Sequence, residues 1–70
     1  MKLEFSFTRN GEIKKVTFLD VTLKRLIRRF RCYICEQEDI TEETWICGYV
    51  YENENCLGKI DVYGNLLKRD

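Results

Sequence analysis

The chain contains no histidine, no proline and no alanine, and its only serine is Ser6. Without histidine it lacks the usual general base near neutral pH and the commonest nitrogen ligand for metals. A serine nucleophile would likewise have no imidazole partner. The four glycines, Gly11, Gly48, Gly58 and Gly64, are too scattered to form a phosphate-cradling loop. No apolar run approaches the ~20 residues needed to cross a bilayer, so no membrane association is expected. Met1-Lys2-Leu3-Glu4 leads straight into strand-like alternation, without an apolar segment of the secretory type. The expected location is therefore cytoplasmic, with thiols kept reduced. Enzymatic chemistry is the least supported class, and a non-enzymatic binding role is expected.

Core-forming residues, by contrast, are plentiful. Of the 70 residues 44% are apolar and 13% aromatic, which predicts one small folded domain over residues 1–70. A chain of this size buries roughly 60% of its extended surface, so its core is marginal unless something staples it. The net charge is zero but unevenly spread. Residues 1–35 hold nine of the twelve Lys and Arg, whereas residues 36–54 hold seven acids and no base. Such asymmetry fits either a charged partner or mutual attraction within the fold.

Residues 2–8 alternate, with Leu3, Phe5 and Phe7 on one face and Lys2, Glu4, Ser6 and Thr8 on the other. Asn10-Gly11 has the chemistry of a type I′ turn, which needs positive φ at both central residues. A two-residue loop there pairs Phe7 with Lys14, Phe5 with Val16 and Leu3 with Phe18, giving a shared apolar face. The stretch from Asp20 to Cys35 then reads as an amphipathic helix, with Asp20 as its N-cap. With Leu23 set at zero on a helical wheel, Leu26, Ile27, Phe30 and Ile34 fall within about 60° of it. Lys24, Arg25, Arg28, Arg29 and Arg31 occupy the opposite arc. Either the helix stops near Arg31, or Cys32 lies on that basic face and is there for its sulfur chemistry.

Glu36 to Thr44 reads as an acidic loop with room for one helical turn. Residues 45–51 alternate as a strand, placing Trp45, Cys47, Tyr49 and Tyr51 on one face. Asn53-Glu54-Asn55 has turn chemistry, Cys56 to Tyr63 forms a further strand, and Leu66-Leu67 tucks back after Gly64-Asn65. The predicted fold is α+β, ββαββ, one helix packed on an antiparallel sheet. Over residues 1–35 the element order and the Leu3/Phe5/Phe7 pattern resemble the ubiquitin-like β-grasp, in which a hairpin feeds a helix that crosses the sheet. No functional motif of that family accompanies the resemblance.

Three constellations carry the functional expectations. Cys32, Cys35, Cys47 and Cys56 follow C-x2-C-x11-C-x8-C, a pattern that could hold a structural zinc or simply supply core thiols. The more economical expectation is that no cofactor is bound. Lys24, Arg25, Arg28, Arg29 and Arg31 could neutralise phosphates, the basis of an alternative nucleic-acid-binding function. Trp45, Tyr49 and Tyr51 with Glu42, Glu43 and Glu52 have the aromatic and acidic character of a protein interface. The leading expectation is a small protein-interaction module, a regulator or inhibitor of the phage or mobile-element kind. Its partner would be a larger protein, with one that handles nucleic acid among the candidates.

Overall fold

A computed structural model describes residues 1–68. The elements are β1 (Lys2–Arg9), β2 (Glu12–Leu19), α1 (Leu23–Glu36), β3 (Trp45–Glu52), β4 (Asn55–Ile60) and β5 (Leu66–Lys68). All strand pairs are antiparallel, and the spatial order is β2-β1-β3-β4-β5. The α+β class, with one helix on a sheet and a hairpin leading into it, stands as expected. The strand count rises by one, because Leu66 and Leu67 pair with Ile60 and Lys59 to make β5.

The first hairpin follows directly from its turn. Asn10 and Gly11 adopt φ of 53° and 79°, the positive pair that a type I′ turn requires. The resulting register sets Phe7 opposite Lys14, Phe5 opposite Val16 and Leu3 opposite Phe18. Because pairing alternates faces, Leu3, Phe5 and Phe7 all turn toward α1 and are essentially inaccessible to water. Leu26 and Phe30 meet them from the helix, and Val50 and Ile60 complete the floor. Complete burial of each such side chain contributes about 1.5–3 kcal/mol.

Helix α1 starts later than Asp20 and ends later than Arg31. Its N-cap is Thr22, whose hydroxyl accepts from the Arg25 amide at 3.2 Å. Asp20 sits two residues too early for that role and instead accepts from the Val21 amide at 2.7 Å. At the other end the helix runs through both Cys32 and Cys35 before Gln37 caps it.

An irregularity in β3 changes which residues share a face. Between Ser6 and Phe7 the β1–β3 register shifts, so that Trp45 rather than Ile46 stands opposite Phe7. That bulge turns Trp45 to the helix side, where it stacks on Phe5 at 5.6 Å and meets Phe30 edge-on at 5.7 Å. Trp45 therefore does not share a face with Tyr49 and Tyr51. Gly48 makes room for the indole: a Cβ there would lie 2.8 Å from Trp45 Cζ2 and 2.7 Å from Ile60 Cγ2. The β3–β4 turn is also one residue tighter than expected, with Glu52 opposite Asn55 and Asn53 at φ 57°.

Candidate functional site

Helix α1 covers one face of the sheet, and the strand registers define what lies on the other. Cys47, Tyr49 and Tyr51 stand opposite Ser6, Glu4 and Lys2. Since those three β1 residues alternate with the buried Leu3, Phe5 and Phe7, the β3 stripe points away from the helix. Lys59 stands opposite Tyr49, Cys56 opposite Tyr51, and Leu67 opposite Lys59. On the far side of β1, Ile13, Lys15, Thr17 and Leu19 belong to the same open face. Tyr49, Cys56, Gly58, Lys59, Leu67 and Lys68 border a shallow groove of about 330 Å³.

The charges on this face are few and lopsided. Glu4 is shared by Lys2 at 3.2 Å and Lys15 at 3.6 Å. The hydrogen bond from Lys2, followed by the Coulomb attraction of both lysines, holds the Glu4 carboxyl below the usual glutamate range against the opposing effect of burial. Lys2 also lies over the Tyr51 ring, 4.9 Å from its centroid. Lys59 is exposed and has no ion pair among the described residues. The face is thus an aromatic and aliphatic stripe with a net positive surround.

The six residues expected to form a protein interface do not form one patch. Tyr49 and Tyr51 are half-buried on the open face, while Trp45, also half-buried, packs against the core on the helix side. Glu42 and Glu43 are exposed in the connector between α1 and β3, where Glu42 accepts a hydrogen bond from the Tyr63 hydroxyl. That bond, with burial and the Glu42 charge behind it, pushes the Tyr63 phenol above its ordinary pKa. Glu52 is exposed at the opposite end of β3.

The basic helix arc is partly engaged by the chain itself. Asp20 receives Arg25 at 3.3 Å and Arg29 at 3.5 Å, and the Arg29 guanidinium also donates to the Leu19 carbonyl at 2.7 Å. Arg31 donates to the Gly64 carbonyl at 3.2 Å. Lys24 and Arg28 are exposed and carry no ion pair among the described residues. The four cysteines are free thiols and lie in two places. Cys32 and Cys35 are exposed on α1, whereas Cys47 and Cys56 lie on the sheet face that α1 does not cover. Among the described residues no three Cys, Asp or Glu side chains stand together as a metal cluster.

Sequence reasoning missed Lys2, Glu4, Lys15, Lys59 and Leu67 as neighbours of the tyrosines. The outward half of each strand's alternation was visible. Which strand adjoins which was not, because β3 packs beside β1 across most of the chain length. No family model, curated protein or solved structure matches the chain.

Proposed function

We propose that the chain is a small non-enzymatic protein-interaction module, of the regulator or inhibitor kind, docking through the uncovered face of its sheet. The observation that carries this is the Cys47–Tyr49–Tyr51 stripe in the middle strand, on the side opposite α1. Tyrosine offers broad, rigid contact area with a polar tip, at low entropic cost on ordering. With Lys2, Lys15 and Lys59 around the stripe and partly offset by Glu4, the complementary partner is an apolar protein patch edged with carboxylates.

The test is affinity capture from cells expressing the protein, with the bound protein identified and its affinity measured. Tyr49→Ser combined with Tyr51→Ser should weaken binding by at least about 30-fold, in line with loss of two interface anchors. Both side chains are outside the core, so the fold is retained. Equal capture by the wild type and the double variant would refute docking through this face.

A second function is favoured by one observation, the exposed Lys24 and Arg28 on the outer side of α1. With Ile27, Arg31 and Cys32 they line a groove that could follow a phosphate backbone. If nucleic acid is the partner, the wild type is retained on a mixed oligonucleotide at about 50 mM salt, and Lys24→Glu with Arg28→Glu is not. An absence of retention by the wild type would dispose of this alternative.

A further inference from the structure

Strand β2 is an edge of the sheet, and its backbone groups alternate between two directions. The type I′ turn closes with the Glu12 amide donating to Arg9, which makes Arg9 and Glu12 a hydrogen-bonded pair. In an antiparallel ladder every second pair is bonded, so Lys14, Val16 and Phe18 also bond back to β1. The two ends of the ladder agree with this phase. Asp20 donates to the Met1 carbonyl at 3.1 Å, while the Thr8 amide turns away from β2 to reach the Thr44 carbonyl at 2.8 Å. It follows that Ile13, Lys15, Thr17 and Leu19 present their N–H and C=O groups outward along the edge. Of these, the Leu19 carbonyl already accepts from Arg29, and a carbonyl oxygen has a second lone pair for another donor.

Edges of this length are normally blunted by charge. Here both lysines are engaged within their own chain, Lys14 with Glu12 at 3.0 Å and Lys15 with Glu4 at 3.6 Å. Two large aliphatic side chains on the strand are nevertheless left in solvent, Ile13 at 71% exposure and Leu19 at 68%. They share the open face and lie toward opposite ends of β2, with Val16 midway between them.

We infer that β2 is a self-pairing edge, joining a second copy of this chain antiparallel about a two-fold axis through Val16. Three conditions select that register. Outward groups must meet outward groups, which requires odd-numbered residues to face one another. A register centred on Lys15 is disfavoured because it sets the two Lys15 side chains opposite each other. One centred on Thr17 loses a bonded pair and leaves Ile13 beyond the partner's strand. Centred on Val16, Ile13 of each copy faces Leu19 of the other, and Lys15 faces Thr17. The seam gains about eight backbone hydrogen bonds, two for each of the four facing pairs. Both helices then lie on one side of a continuous ten-stranded sheet, built from two copies of the five strands. The inference uses the edge of the sheet and does not rest on the docking face proposed above.

Sedimentation equilibrium of the full chain, from micromolar to millimolar concentration, tests it. The wild type should approach twice the 8.5 kDa of one chain as concentration rises. Ile13→Lys with Leu19→Lys places lysine against lysine and should weaken association at least 10-fold. Ile13→Glu with Leu19→Lys replaces both aliphatic contacts by Glu–Lys pairs and should restore dimer. Thr17→Pro removes an outward N–H that the monomer does not use and should also give monomer, with the circular dichroism of the fold retained. A wild type that stays monomeric throughout overturns the inference. So does a dimer indifferent to these changes, or a Glu/Lys double variant no more associated than the Lys/Lys one.

Discussion

Phe5 lies at the centre of the aromatic packing, with Phe7, Phe18, Phe30, Tyr33 and Trp45 all within 6.0 Å between ring centroids. Such a cluster tolerates little change in volume, and Gly48 is where intolerance is easiest to expose. Gly48→Ala forces a methyl group against both Trp45 and Ile60 and should cost about 1–3 kcal/mol, read from the midpoint of urea unfolding. An unchanged midpoint would mean that the indole can shift at no cost. Phe5 was legible from alternation alone, since Leu3, Phe5 and Phe7 can share only one face. The side taken by Trp45 was not. A bulge leaves no composition signal of its own, and a period-2 count carried across it assigns the wrong face to every residue beyond. The glycine inside the strand pattern was the available hint, because a strand glycine often marks a close approach.

At the scale of elements, the entry to α1 separates two roles that the sequence run Asp20-Val21-Thr22 leaves entangled. Both Asp20 and Thr22 are good caps by chemistry, and the difference of two residues depends on where β2 ends. Thr22→Ala should lower stability by about 1 kcal/mol through the lost hydroxyl–amide bond, visible as a lower thermal midpoint. Asp20 instead anchors arginines to the hairpin. Its carboxyl lies below the ordinary aspartate range, chiefly because the Val21 amide donates to it, with Arg25 and Arg29 assisting. The connector shows the same pattern. Arg9 donates to Asp39 and, at 2.9 Å, to the Gln37 side-chain carbonyl, fixing the chain after α1 against the hairpin. The hydrogen bond from Arg9 is the main reason that Asp39 is also depressed. Groups depressed on folding stabilise the protein above their unfolded pKa, and that contribution disappears as pH falls through the folded value. Thermal midpoints should thus be level from pH 7 to about 5 and fall below about 4. Arg9→Met, which keeps a stem to lie over Phe7, should flatten that acid limb; an identical limb in the variant would show that Asp39 does not contribute.

For the whole molecule, legibility followed the range of the interactions. The first hairpin matches residue for residue, because turn chemistry and alternation are both local and agree. The placement of β3 beside β1, and the three-residue β5, depend on contacts between segments far apart in sequence, where single-residue patterns carry little information. The same split divides the candidate site: the residue types of the open face were visible, but its assembly was not. It also bears on how quickly the protein forms. Strand β1 has one partner that arrives through a two-residue turn and another that must return from the far side of the helix and its connector. Hairpins close in about 1–10 μs, whereas remote strand pairing must first overcome the entropy of a long loop. The β1–β3 seam should therefore set the folding rate, and the chain's single tryptophan stands at its end. In stopped-flow refolding followed by Trp45 emission, Val50→Ala should slow the observed phase, while Leu66→Ala on β5 should chiefly hasten unfolding. The indole that the bulge turns inward is thus a built-in clock for the moment the two halves of the sheet meet.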